Sequence, residues 1–276
     1  MDYSTPTSLN EALRLMGKKQ ATVLAGGTDI YPTMTGRDLP DRIVDISRLR
    51  ELRGIHAAEE GLSIGALTTW SEITEATLPA AYEGLRKAAS QIGGVQIQNA
   101  GTVAGNLCNA SPAADSVPPL LTLDAHVILT SASGERQIKL EEFLLGPRQT
   151  DRAHNEILTS VFIPHPVANT QGSFEKLGSR SYLVISIAMV ACLLRRDMNG
   201  QIDEARIAVG AASPVAKRLR RLEDDLIGQD PAFPMILRSH LQPLAPVDDA
   251  RGSAEYRLAA VKELCNRAIR GAARAV

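Results

Sequence analysis

Two stretches of this chain combine glycines, hydroxyls and amides in an order suited to holding an anion without a cation. The first, Ala25-Gly26-Gly27-Thr28-Asp29, follows the apolar run Thr22-Val23-Leu24 and leads into Ile30. The second is Thr102-Val103-Ala104-Gly105-Asn106, and no Lys or Arg occurs from there to residue 121. An anion bound there must be held by backbone N–H groups and side-chain dipoles, as in a nest of successive amides. Strand, glycine pair and helix start is also the layout that aims free N–H groups at a phosphate. An ordinary glycine turn would read the same way, so the first stretch alone decides little. Together the two suggest segments facing each other across one buried diphosphate. Such a group needs several donors, each hydrogen bond to it contributing about 1.5–3 kcal/mol.

Other chemistries lack concentrated residues. There is no G-x-G-x-x-G fingerprint and no G-x-x-x-x-G-K-S/T loop. A hydrolase nucleophile elbow is not expected, and no H-E-x-x-H pair is present for zinc. The five histidines, His56, His126, His154, His165 and His240, are spread without ligand spacing. Three scattered cysteines, Cys108, Cys192 and Cys265, argue against a disulfide framework and fit a reducing compartment. They also fall short of a full thiolate set for an iron–sulfur cluster.

With 276 residues, 44% of them hydrophobic, the chain is long for one compact domain and rich enough for a substantial core, so two domains are expected. A formal net charge of −1 is not the footprint of a nucleic-acid binder. Met1-Asp2-Tyr3-Ser4 offers neither a basic n-region nor an apolar h-region, so no signal peptide is expected. The longest apolar run, residues 183–194, is interrupted by Ser186 and is too short to cross a bilayer. The expectation is a soluble, cytoplasmic protein that binds neither nucleic acid nor membrane.

The elements that carry these stretches follow from periodicity and caps. Ser8-Leu9-Asn10-Glu11 is a capping box opening a helix through Met16, with Lys18-Lys19 at its negative end. Residues 22–24 form a strand, 30–35 a helical turn despite Pro32, and 42–46 a second strand. Short strands at 55–57 and 62–66 flank the turn Glu59-Glu60-Gly61, and 69–76 and 79–91 are helical. Ile92-Gly93-Gly94-Val95 leads into the second stretch, read as a loop. Pro118-Pro119 blocks a continuous helix, 125–130 is a strand, Gly134 turns the chain into 135–140, and 156–164 is a strand ended by Pro164 and Pro166. That pair, with residues 169–172, is the candidate boundary. Beyond it, 173–177, 184–196 and 201–210 read as strands, with Asn199-Gly200 as a hairpin signal. Residues 214–227 and 255–274 read as helices, and Leu237-Arg238 belongs to another helical stretch. Lys217, Arg218, Arg220 and Arg221 cluster, either as a solvated face or as a docking surface for an acidic partner.

In their joint order and spacing, the segments from Ala25 to Ile30, from Thr102 to Asn106, and Ala110-Ser111-Pro112-Ala113-Ala114-Asp115 resemble the flavin loops of a known family. It is the FAD-binding medium subunit of the molybdenum hydroxylases, the family of xanthine dehydrogenase and carbon monoxide dehydrogenase. The resemblance continues through Glu156-Ile157-Leu158, Ile163-Pro164 and Phe174-Glu175-Lys176-Leu177-Gly178-Ser179-Arg180 into the sheet-forming tail. It implies an α+β fold. A PCMH-type FAD-binding portion of two α/β subdomains, about 1–53 and 54–168, precedes a C-terminal domain, 172–276, of a small antiparallel sheet with helices. FAD is implied in the cleft between the parts.

Carried over by position, Leu24, Ala25, Gly26, Gly27, Thr28, Asp29 and Ile30 form one side of the FAD site. Thr102, Val103, Ala104, Gly105 and Asn106 form the other. Gly26, Gly27, Thr28 and residues 102–106 are expected to give backbone donors to the diphosphate, because glycine lets backbone approach oxygen with no Cβ in the way. Asp29, a like charge, is expected as an N-cap or a ribose contact. Asp115 is implied to accept from a sugar or ribityl hydroxyl. Ile92 and Leu158 either lie against the cofactor or pack in the core. Lys176 is implied near the flavin, where a fixed cation stabilises the reduced anionic ring and raises its potential; the alternative is a surface lysine. Tyr182 is implied to stack on the isoalloxazine.

The resemblance further implies an oxidoreductase subunit with no catalytic or metal-ligating residue of its own. It would take electrons from [2Fe-2S] centres on a small partner subunit and pass them through FAD to an external acceptor: NAD, oxygen, a quinone or a carrier. The molybdopterin would lie on a large partner subunit, in a dimer of heterotrimers. The inserted cysteine-bearing loop of relatives that reduce aromatic thioesters is not seen. The alternative is a stand-alone FAD-dependent oxidase or dehydrogenase of the related two-loop flavin fold, although no His or Cys is obviously placed as a base or tether. A third reading is an assembly subunit that has lost its cofactor.

Overall fold

The computed structural model describes residues 2–34, 36, 40–180 and 183–274. The chain begins with a parallel sheet of β1 (Asp2–Ser4), β2 (Thr22–Leu24) and β3 (Arg42–Asp45), in the order β1-β3-β2. Helix α1 (Leu9–Lys18) connects β1 to β2 and buries Ala12, Leu13 and Met16. It starts where the Ser8 hydroxyl accepts from the Glu11 amide. Glu11 turns its carboxylate to the Thr7 amide at 2.8 Å, one residue before the cap, so the expected capping box is offset. Ligands of parallel sheets bind beyond the carboxyl ends of the strands. The end of β2 delivers residues 25–29 there, and α2 (Ile30–Thr33) follows as a single turn, shorter than expected. Thr35 lies outside the described residues.

The second sheet is antiparallel and five-stranded. Its members are β4 (Ile55–Ala58), β5 (Gly61–Gly65), β6 (His126–Ser131), β7 (Gly134–Lys139) and, after the small ribbon β8 (Leu144–Gly146) and β9 (Gln149–Thr150), β10 (Ile157–Pro164). The order is β4-β5-β10-β6-β7. Gly61-Leu62-Ser63-Ile64-Gly65 spells G-x-S-x-G, but it lies wholly within β5 and so lacks the strand-to-helix turn that exposes a nucleophile. Between β5 and β6 run α3 (Trp70–Glu75), α4 (Glu83–Gln91), α5 (Val95–Ala100), α6 (Val103–Asn109) and α7 (Val117–Thr122), and α8 (Leu140–Phe143) follows β7. Thr69 and Glu72 form a reciprocal capping box at α3. The stretch 102–106 is not a loop: Thr102 is the N-cap of α6 and accepts from the Gly105 amide. Pro118 and Pro119 fall in the first turn of α7, where their missing N–H groups do no harm. Trp70, Leu107, Leu129, Ile64 and Phe143 fill the core beneath these elements.

The third sheet is antiparallel, ordered β11 (Gln171–Leu177), β12 (Ala188–Arg196), β13 (Ile202–Gly210) and β14 (Lys217–Arg218). Asn199-Gly200 turns the β12–β13 hairpin, with Gly200 left-handed at φ +83°. The expected helix over 214–227 shrinks to α9 (Arg220–Leu226), because residues 217–218 pair with β13 instead. This divides the basic cluster. Arg218 is buried and bonds Glu223 and Asp124, each at 2.7 Å, while Arg220 pairs with Glu141 at 3.0 Å. The stretch at 237–238 is a 3-10 turn, Arg238–Leu241, and α10 (Ala254–Arg274) covers the sheet. The architecture is therefore the expected α+β one. Among the described residues, no helix is long and apolar enough to cross a membrane.

Candidate functional site

A cavity of about 550 Å³ opens beyond the carboxyl end of β2. Of the residues singled out, Ala25, Gly26, Gly27, Thr28, Asp29, Ile30, Ile92, Thr102, Ala104, Gly105, Asn106 and Leu158 line it. Leu24 and Val103 are buried and stay out of the lining, and Asp115 and Lys176 also lie outside it. Tyr182 falls outside the described residues. All lining comes from residues 20–158, so the cavity lies within the N-terminal portion and not against the C-terminal sheet.

The first glycine-bearing stretch packs against Ala100 and Gly101, the residues just before the second. A Cβ on Gly26 would fall 1.7 Å from the Ala100 carbonyl oxygen, so only glycine allows this approach. Gly27 has φ +71°, and a Cβ there would lie 2.5 Å from the Tyr31 ring.

Their amides differ. Those of Gly26, Gly27, Thr28, Asp29 and Ile30 donate to no acceptor among the described residues. In α6 the amides are already occupied: Val103 donates to the Thr68 carbonyl at 3.0 Å, Ala104 to Ala66 at 3.2 Å, Gly105 to the Thr102 hydroxyl at 3.1 Å and Asn106 to the Thr102 carbonyl at 3.1 Å. The amide of Thr102 itself meets no acceptor among the described residues, so in the second stretch the expected donor role is open only there, whereas in the first it is open along the run. The second is a wall of small side chains, with Asn106 Oδ1 held by the Ser116 hydroxyl at 2.6 Å.

The cavity also contains cations that neither stretch announced. Arg148, in the turn between β8 and β9, and Arg152 both line it. Arg148 donates to Asn109 Oδ1, and Arg152 to the Glu156 carbonyl at 2.6 Å. Asp29 occupies the N-cap position of α2 but makes no cap bond, contrary to one expectation. Burial pushes its carboxyl up, while Arg148 and Asn109 pull it back. Half-buried Cys108 is in the lining too, its thiol pushed up to about 11 by burial, which keeps it protonated.

Asp115 and Lys176 bind each other. Lys176 Nζ donates to Asp115 Oδ2 at 2.5 Å and to the Gln91 carbonyl at 3.2 Å, one residue from the cavity-lining Ile92. Ser186 donates to Asp115 Oδ1 at 2.5 Å. Burial pushes the Asp115 carboxyl up, opposed by Lys176 and Ser186. With 6% of its side chain exposed, Lys176 is not a surface lysine.

Comparison with known proteins shows the family. Residues 1–166 match the family of the FAD binding domain in molybdopterin dehydrogenase, and residues 173–272 match the CO dehydrogenase flavoprotein C-terminal domain. The chain belongs to the FAD-binding medium-subunit family of xanthine dehydrogenase and carbon monoxide dehydrogenase. It is 34% identical over 275 residues to the xanthine dehydrogenase FAD-binding subunit of Escherichia coli O157:H7, a match covering 97% of this chain and 94% of that one. It is 33% identical over 280 residues to the glyceraldehyde dehydrogenase medium chain of Sulfolobus acidocaldarius, covering 97% and 96%. Reconstituted CO dehydrogenase from Oligotropha carboxidovorans matches with a TM-score of 0.90 at 26% identity, over 100% of this chain and 98% of that one.

Proposed function

We propose that this chain is the FAD-holding electron-transfer subunit of a heteromeric molybdenum hydroxylase. The observation that carries the reading is the run of amides from Gly26 to Ile30 that meet no acceptor among the described residues, bent around left-handed Gly27 and lining a cavity of about 550 Å³. Five successive N–H groups at a strand-to-helix turn beside a cavity make a ready anion site. Charge-assisted hydrogen bonds of about 1.5–3 kcal/mol each would hold a diphosphate there.

The residues fit FAD. Gly26, Gly27, Thr28, Asp29 and Ile30 would receive the diphosphate, with Ala25 and Leu24 setting the loop at the end of β2. Thr102, Val103, Ala104, Gly105 and Asn106 would form the facing wall, and Ile92 and Leu158 an apolar surface for a ring. Asp115 and Lys176 would fix the structure beside Ile92. When bound, FAD supplies a carrier able to accept electrons singly or in pairs, as a link between one-electron centres and an external acceptor requires.

Relatives named as medium chains support a small and a large partner; the proposal gives the small one the [2Fe-2S] centres and the large one the molybdopterin, and assembles them as a dimer of heterotrimers. The division of the chain into 1–168 and 172–276, with subdomains about 1–53 and 54–168, and a cytoplasmic location belong to the same proposal. Native purification tests it. The chain should copurify with two others, absorb as a flavoprotein and release FAD on denaturation. A colourless chain that takes up no FAD would overturn the reading. Turnover of a small alcohol or amine by the isolated chain would favour a stand-alone oxidase.

A further inference from the structure

Arg148 occupies the β8–β9 turn with φ +61°, a backbone conformation that is disfavoured for a residue carrying a Cβ and free for glycine. Its amide donates to the Ala110 carbonyl at 2.9 Å, and Ala110 is itself left-handed, at φ +44°, where α6 ends. These two residues dock the turn on α6 and direct the Arg148 side chain to Asn109 and the cavity. Strain of this kind is retained where the surroundings over-determine it, often at a ligand site.

Arg148 has no carboxylate bonded to it among the described residues. Its neighbours are committed: Arg136 to Glu156 and Asp151, Arg152 to the carbonyls of Ala153 and Glu156. Asp29 lines the cavity from the opposite loop, and Arg148 acts on its carboxyl through space. An amide run beside a carboxylate would hold a second negative charge poorly. A nearby cation removes that conflict.

We propose that Arg148 is a binding residue for the FAD diphosphate, the cation that offsets Asp29 and completes the anion site formed by the amides of Gly26 to Ile30. This rests on the FAD-subunit reading above. It replaces a site of amides alone with one in which a side chain from a distant turn supplies charge.

The test is titration of FAD into the full-length apoprotein, followed by flavin fluorescence at low and high salt. Arg148→Gly removes the cation while easing the backbone, so the apoprotein should melt no lower than wild type. FAD affinity should fall at least tenfold at low salt, and the gap should narrow as salt rises. ADP, which carries the diphosphate without the flavin ring, should lose affinity in parallel. Arg148→Lys should retain part of the affinity, and adding Asp29→Asn to Arg148→Gly should recover part of it. Should the glycine variant not fold, Arg148→Gln reads the same loss. Equal FAD and ADP affinities with equal salt slopes in wild type and variant would overturn the role of Arg148 alone. A wild-type chain that takes up no FAD would overturn the functional reading with it.

Discussion

Lys176 Nζ and Asp115 Oδ2 lie 2.5 Å apart, with only 6% and 7% of the two side chains exposed. The pair ties β11 to the segment before α7, and Ser186 and the Gln91 carbonyl complete it. It joins the C-terminal sheet to the element that ends beside the cavity-lining Ile92.

Lys176→Met should destabilise the fold by about 3–5 kcal/mol, because breaking a buried pair leaves an uncompensated charge. Adding Asp115→Asn should recover much of the loss, as urea unfolding of single and double variants would reveal. If the flavin lies beside this pair, the FAD midpoint potential should also drop in Lys176→Met. An unchanged potential would leave the lysine a purely structural role.

Gly26 and Gly105 should fail in different ways. Gly26→Ala places its Cβ 1.7 Å from the Ala100 carbonyl oxygen, which must push the first stretch away from the end of α5. Overpacking of that kind costs about 1–3 kcal/mol and should abolish FAD retention as well. At Gly105 a Cβ meets only the Thr102 hydroxyl, at 2.8 Å, so Gly105→Val should cost about 1 kcal/mol through the disturbed cap while its side chain fills cavity space. Thermal melts paired with flavin content would separate the two effects. A Gly105→Val protein that keeps its full FAD complement would show that the wall of α6 does not face the cofactor.

The basic cluster should split by burial. Arg218→Ala removes the shared partner of Glu223 and Asp124 and should cost about 3–5 kcal/mol. Arg221 lies on the surface 3.9 Å from Asp225, and Arg221→Ala should change stability by less than about 1 kcal/mol. Comparable losses for the two in denaturant melts would mean that Arg218 is hydrated in solution.

Glu156 gives a pH signature. Arg136 holds its carboxyl below the usual range with hydrogen bonds of 2.6 and 2.9 Å, and the Ala153 amide adds another at 2.8 Å. A carboxyl lowered in the folded state stabilises above its unfolded pKa of about 4.3, and the stabilisation disappears as pH falls through the folded value. Wild type should therefore exceed Glu156→Gln in stability at neutral pH, with the gap closing in acid. A gap that widened on acidification would reverse the sign of this assignment.

The strands were largely legible because their patterns are local. Asn199-Gly200 announces its hairpin, and β10 is a run of mostly bulky apolar residues closed by Pro164. The first glycine stretch was legible for the same reason, since strand, glycine pair and helix start are neighbours in sequence. What escaped depends on distant partners. Helices α5 and α6 are too short and too amide-rich to show an apolar period, and residues 217–218 become a strand only because β13 offers an edge. Occupation of the α6 amides depends on the carbonyls of Ala66 and Thr68, and the cation of the site comes from residue 148. The basic run at 217–221 looked like a surface. Only the fold shows that Arg218 turns inward.

Amide hydrogen exchange, with and without FAD, tests the central claim most directly. In the apoprotein the amides of Gly26 to Ile30, which meet no acceptor among the described residues, should exchange rapidly, while those of Val103 to Asn106 should already be protected. Bound FAD should slow exchange across Gly26 to Ile30 and change the second group little. FAD that binds tightly while Gly26 to Ile30 still exchange at the apoprotein rate would contradict the account.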